Sequence, residues 1–218
     1  ITLKADLAAT KSGLAESDEQ KLDTARIQQA LDHCPSGHAV VLASEGADNA
    51  FLTGPIALRE AVTLVLDKGV TLYASRDPKQ YETSSGRCGI VSKQRGGCKP
   101  ILAVDHVSGA GIMGKGVLDG RGGAKLLGQN ITWWDLAEQA RTPGLGGQQV
   151  PRLIVASHAD SFTLYRITLR NSPNFHVVYN HGDGFTVWGI RIDTPQRLAR
   201  NTDGIDPGQG SRNITITH

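Results

Sequence analysis

Aromatic residues are scarce in this chain: 4 Phe, 3 Trp and 4 Tyr supply 5% of 218 positions, and Met occurs once. A core built from large side chains is therefore not expected, and burial has to rest on aliphatic layers. Excess charge is lacking too, since 23 Lys and Arg against 21 Asp and Glu leave a net charge of +2. That mild cationic balance suits a polyanionic partner but not nucleic acid, because no basic run or binding motif accompanies it. No apolar run approaches the roughly 18 residues that a membrane span needs, so no membrane association is expected. A leader segment is not visible, and the chain opens on Ile1, which reads as a processed or cut start.

What the chain does have is a repeat. Phe162-Thr-Leu-Tyr-Arg-Ile-Thr-Leu169 matches Phe185-Thr-Val-Trp-Gly-Ile-Arg-Ile192 at a spacing of 23 residues. Within each copy apolar residues stand at the first and third positions, slip by one, and resume at the sixth and eighth. Alternation marks a half-buried strand, and the slip marks a corner between two strands. Polar-Pro breaks, Asn171-Ser-Pro and Asp193-Thr-Pro, follow the copies. Cruder copies begin at Ala61, Gly69, Ile101 and Gly116. A period between about 20 and 50 residues means stacked supersecondary units. The reading is an all-β fold, a right-handed parallel β-helix, with a β-sandwich as the rival. The 26 Gly fit its many tight corners.

One segment reads as a helix. Ser17-Asp-Glu-Gln20 has the form of a capping box, Leu22, Ile27, Ala30 and Leu31 share a face, and Cys34-Pro35 ends the run. A solenoid end needs a cover, so a capping helix is expected over 17–33, with coils over 61–218 in one domain spanning 1–218. The sequence stops at His218 in or just after a strand, which reads as the N-terminal portion of a longer β-helix.

Cysteines number three. Cys88 and Cys98 flank a Gly- and basic-rich loop with little apolar content to hold it. A disulfide there would contribute on the order of 3 kcal/mol by the chain-entropy estimate. Zinc is the competing use, but no His or third Cys stands at ligand spacing, so no metal is assigned. Cys34 is left unpaired, or paired with a cysteine upstream of Ile1.

The most informative stretch is Asn201-Thr-Asp-Gly-Ile-Asp-Pro207. Alone it reads as a turn, because Asn, Asp and Gly tolerate positive φ. Together with Gly114-Lys-Gly-Val-Leu-Asp-Gly-Arg-Gly-Gly123, Trp133-Trp134, Pro151-Arg-Leu-Ile, Asn171-Ser-Pro-Asn-Phe-His176 and Gly182-Asp-Gly-Phe-Thr186, it resembles the bacterial secreted polygalacturonases. The resemblance covers essentially the whole chain. It implies a right-handed parallel β-helix, secretion, a monomer, and hydrolysis of α-1,4-galacturonan in pectin without a cofactor. An inverting mechanism of that kind pairs an acid with a carboxylate that activates water, about 6.5–9.5 Å apart. By motif, Asp203 is the carboxylate that helps hold and deprotonate the water, and Asn201 orients the loop or a sugar hydroxyl. The family's Gly-Asp-Asp, Gly-His-Gly and Arg-Ile-Lys motifs would all fall beyond His218, so this chain alone is expected to be inactive.

The remaining candidates are read from position. His176 stands one coil before Asn201 and is expected beside the cleft, and Arg200 is expected to pair with a galacturonate carboxylate. Arg166, Arg170, Arg191 and Arg212 are weaker versions of Arg200. Asp206 is read as a turn or solvated residue, and Trp133-Trp134 as a packed anchor for the long segment 123–150. The sequons at Asn130 and Asn213 are discounted. A calcium-dependent pectate lyase and a non-catalytic polysaccharide-binding solenoid are the other readings; the lyase needs an acidic calcium cluster that is not seen before Asp203.

Overall fold

In the computed structural model, which describes residues 1–218, three parallel sheets run side by side. The first has seven strands: Thr2–Lys4, Ala39–Ala43, Thr63–Leu66, Gly111–Gly114, Phe162–Tyr165, Asp183–Trp188 and Arg212–Thr217. The second stacks Ala50–Thr53, Thr71–Ala74, Val117–Asp119, Thr168–Arg170 and Arg191–Asp193. The third stacks Ile56–Ala57, Leu102–Asp105, Ile154–Ser157, Val177–Asn180 and Ile205–Pro207. The chain visits first, second and third sheet in turn and then starts again, which is a parallel β-helix.

The sequence repeat is one coil of this helix. Phe162 pairs in register with Phe185, and their rings stack 5.5 Å apart. Thr168 pairs with Arg191, so Ile167 and Ile190, one place earlier, sit in neighbouring coils. The slip in the alternation has a backbone cause. Arg166 and Gly189 occupy it with φ of 60° and 61°, the left-handed corner that joins the first sheet to the second. Inside, one continuous apolar core runs from Ala5 to Val187 and is mostly Leu, Ile, Val and Ala.

Two expected boundaries are corrected. The helix is α1 (Thr24–Asp32), not 17–33, and Glu16–Asp18 is only a single 3₁₀ turn. The acids that suggested a capping box answer basic side chains instead: Asp18 pairs with Lys21 at 2.8 Å, and Glu19 is buried against Arg76, at 3.2 Å, and against Arg121. Asp23, just before α1, makes no capping bond either: its carboxylate accepts from Leu52 N–H at 3.1 Å and from the Arg26 side chain at 3.0 Å. Ile27, Ala30 and Leu31 of α1 do enter the core at the N-terminal end, whereas Leu22 is exposed. The coils also begin earlier than 61, with paired strands from Thr2, Ala39 and Ala50.

Beyond the N-terminal connection 5–38, the long irregular segments all leave the solenoid at one corner. Residues 75–101, 120–153, 171–176 and 194–204 each connect the second sheet to the third. The loops that could form a site are thereby gathered beside one edge of the third sheet.

Candidate active site

The first two of those segments build a wall. Cys88 and Cys98 are joined by a disulfide, while Cys34 is free and buried. Ile90–Ser92 pairs antiparallel with Gly147–Gln149 from the second segment. Gly97 N–H donates to the Gln149 side chain at 3.0 Å, and a Cβ on Gly97 would fall 1.9 Å from the Arg87 carbonyl, so no other residue fits there. The helix α2 (Trp133–Gln139) opens with a capping box of Thr132 and Asp135. Trp133 is fully buried edge-on to Tyr81, and Trp134 Nε1 donates to Ser172 O at 2.9 Å. Both tryptophans are packing anchors, as their position suggested.

Between this wall and the edge of the third sheet lies a groove of about 930 Å³. Arg95, Arg141, Arg152 and Arg200 line it, no acidic side chain does, and Val155, Asn174, Phe175 and Asn201 complete its floor and end. The Arg152 guanidinium lies over the Phe175 ring at 5.5 Å, which fixes its direction. Glu138, on the helix above, pairs with Arg200 at 3.0 Å and Arg141 at 3.4 Å. Gln148 also lines the groove, and both its side-chain amide atoms are buried without a hydrogen-bond partner. A pocket of this kind attracts carboxylates, because guanidinium forks match carboxylate geometry.

The turn 201–204 sits at the end of the groove, which Asn201 lines. Asn201 takes φ 58°, the conformation that its side chain tolerates. Asp203 is exposed, and its carbonyl accepts from His176 N–H at 2.8 Å, while Gly204 O accepts from Val177 N–H at 3.1 Å. These bonds stitch the turn to the coil below. Asp206 is not a turn residue. It lies in the strand Ile205–Pro207 in register with Val178 and, one coil further, Val155. Val155 faces the groove, so Asp206 shares its outward column.

His176 is placed differently from the expectation. It is fully buried, so it does not face a ligand. Its Nδ1 lies 3.2 Å from Asp203 O and its Nε2 lies 2.8 Å from Thr194 Oγ1. A carbonyl only accepts, so Nδ1 carries the proton and the Thr194 hydroxyl donates to Nε2. Burial pushes its pKa below the usual histidine value. The start of the preceding segment is scaffold as well, although its Asn174 and Phe175 line the groove: Asn171 Nδ2 donates to buried Asp119 at 3.3 Å, and Ser172 Oγ donates to Phe175 O at 3.0 Å. Of the arginines picked by position, only Arg200 lines the groove. Arg166 lies over Tyr165 and Trp188, and Arg170 pairs with Asp193 at 3.4 Å. Arg95, Arg141 and Gln148 went unread because they lie in aperiodic segments, although Arg152 stands inside Pro151-Arg-Leu-Ile.

Fold and groove define the class, a parallel β-helix protein whose side loops wall a cationic groove along one sheet. Residues 31–218 match the profile of glycosyl hydrolases family 28. An endo-polygalacturonase of Pectobacterium carotovorum subsp. carotovorum is 47% identical over 195 residues, which is 89% of this chain and 48% of that protein. A polygalacturonase of Ralstonia solanacearum is 37% identical over 254 residues, taking in 100% of this chain and 48% of its own length. The solved structure of polygalacturonase from Erwinia carotovora ssp. carotovora superposes with a TM-score of 0.88 at 44% identity, over 99% of this chain and 53% of that one. The chain belongs to glycosyl hydrolases family 28, and it spans about half the length of these relatives.

Proposed function

We propose that this chain supplies the substrate groove and one carboxylate of a polygalacturonase that acts on α-1,4-linked galacturonan in pectin. The observation that carries the reading is the acid-free groove lined by four arginines, which ends at the turn holding Asn201 and Asp203. Galacturonan repeats a carboxylate on every sugar, and a row of guanidinium groups binds such a chain while leaving neutral polysaccharides alone. Arg200 pairs with one carboxylate, Asn201 orients a sugar hydroxyl, and Asp203 takes the proton of the attacking water. His176 acts through the backbone of the turn and touches no substrate. The matching acid has to come from outside these residues, so the 218-residue chain alone is inactive. The disulfide suits an oxidising setting and supports reading the enzyme as secreted.

The test compares reducing-sugar release from polygalacturonate, with a chelator present, by the isolated chain and by a protein of the relatives' full length that carries it. Activity in the long form alone is expected. Hydrolysis by the isolated chain places the acid within it and overturns the division of the site. A second reading, a non-catalytic solenoid that only binds polysaccharide, is favoured by the lack of acids lining the groove. Binding without hydrolysis by the long form would select it.

A further inference from the structure

A second constellation lies at the opposite ends of the third-sheet strands. Asp105, Ser157 and Asn180 pair in register there, and a histidine follows each: His106, His158 and His181. All three histidines are exposed, and all take the left-handed corner conformation, with φ of 52°, 49° and 55°. The corner demands a residue that tolerates positive φ, which Gly or Asn does at less cost, so the backbone alone does not call for three imidazoles. The rings form a ladder, 4.4 Å between His106 and His158 and 4.9 Å between His158 and His181. Asp105 Oδ1 lies 2.9 Å from His106 Nδ1. One donor atom each from Asp105, His106 and His158 falls within 4.8 Å of the other two.

We propose that Asp105, His106 and His158 form a site for a divalent transition-metal cation of the zinc or nickel type, with His181 as a further donor one coil along. Two or three imidazoles and one carboxylate favour such ions over calcium or magnesium, which take all-oxygen sets. Bond lengths of about 2.0–2.2 Å set donor atoms roughly 3.3 Å apart around a tetrahedral ion. Closing from 4.8 Å to that spacing needs side-chain rotation only, because all the donors are exposed. The donors come from coils that the long segment 120–153 separates in sequence. The ion therefore clips those coils together on the edge of the sheet away from the groove, and it is independent of the hydrolytic reading.

Calorimetric titration of the chain, carrying no polyhistidine tag, with Zn²⁺ and with Ni²⁺ tests this, together with thermal unfolding in added metal and in EDTA. The decisive variant is His106→Asn with His158→Asn, since Asn keeps the corner conformation and the fold. Saturable binding at one ion per chain is expected, with a rise in Tm that EDTA reverses. The double variant should lose affinity by roughly tenfold or more and lose the Tm rise, whereas His33→Ala with His38→Ala should change neither. No saturable binding, or binding that the double variant retains, overturns the proposal.

Discussion

His176 and Asp203 are joined twice: the imidazole Nδ1 and the backbone N–H of His176 both donate to the Asp203 carbonyl, at 3.2 and 2.8 Å. The far side of the ring takes the Thr194 hydroxyl, which itself accepts from Asn171 N–H at 3.2 Å. One buried ring thus ties two successive connections, 171–176 and 194–204, together beneath the turn that carries the candidate base. Its burial lowers its pKa, so the unfolded chain binds a proton more readily than the folded one. The sign follows: His176 costs nothing at high pH and destabilises the fold as pH falls below about 6.5. Buried Asp119, whose pKa burial raises, works the other way and favours the fold as pH falls toward about 4. We predict that Tm declines from about pH 7 to pH 5 and that His176→Gln lowers Tm at pH 7 but flattens that decline. A variant with the parental slope would show that another group sets it.

Asp203 is exposed and makes no side-chain bond, so replacing it should leave the fold intact. In a protein of the relatives' full length, Asp203→Asn should lower kcat by roughly 10²- to 10⁴-fold with little change in Tm, because the amide keeps the shape but cannot take a proton. Near-parental kcat in a folded variant would remove Asp203 from the chemistry.

Gln148 offers a test of the groove that separates binding from stability. Its amide is buried and unpartnered, an arrangement that costs on the order of 1–3 kcal/mol unless a ligand fills it. Gln148→Leu should therefore leave Tm unchanged or higher, while KM for polygalacturonate in the full-length protein rises roughly two- to tenfold. A fall in Tm with KM unchanged would make the residue structural.

Glu138 pairs with Arg200 and Arg141 at the groove, and under the proposed function it would compete with a substrate carboxylate for them. Half-exposed pairs of this kind are worth about 1 kcal/mol or less, so Glu138→Gln should lower KM by no more than about fivefold. A rise in KM would mean that Glu138 aims the guanidinium groups rather than blocking them.

What was legible in the sequence is what the solenoid repeats. Phe162 and Phe185 announce one another because stacking in register requires the same shape at the same place in the coil, and the slip at Arg166 and Gly189 is the corner itself. Aperiodic features escaped. The helix start moved to Thr24 because Glu19 answers Arg76 and Arg121, contacts made far along the chain that no local capping pattern encodes. The position of His176 in the coil points to the cleft, but the bonds its ring makes to Asp203 and Thr194 bury it instead. The groove walls come from 75–101 and 120–153, where Arg95, Arg141 and Gln148 carry no repeat to mark them.

The disulfide joins both themes, since it was legible by elimination and it shapes the wall. Cys88 and Cys98 close the loop whose far end, Arg95 to Pro100, lines the groove. Removing the bond releases a short ring, worth on the order of 3 kcal/mol in the chain-entropy estimate. For a chain of this length that corresponds to a Tm lowered by roughly 6–12 °C in Cys88→Ser with Cys98→Ser. The loop has little apolar surface of its own, so its backbone should become the first part of the molecule to exchange amide hydrogens. Hydrogen exchange on the double variant is therefore expected to show loss of protection over 88–98 and at Gly147–Gln149, the strand that this loop pairs with, and parental protection in the three sheets. KM for polygalacturonate should rise with kcat nearly unchanged, because the loop contributes a wall and no reacting group. Loss of protection throughout the sheets instead would mean that the bond supports the solenoid itself, and the wall would then owe its order to the strand pairing and to Gln149.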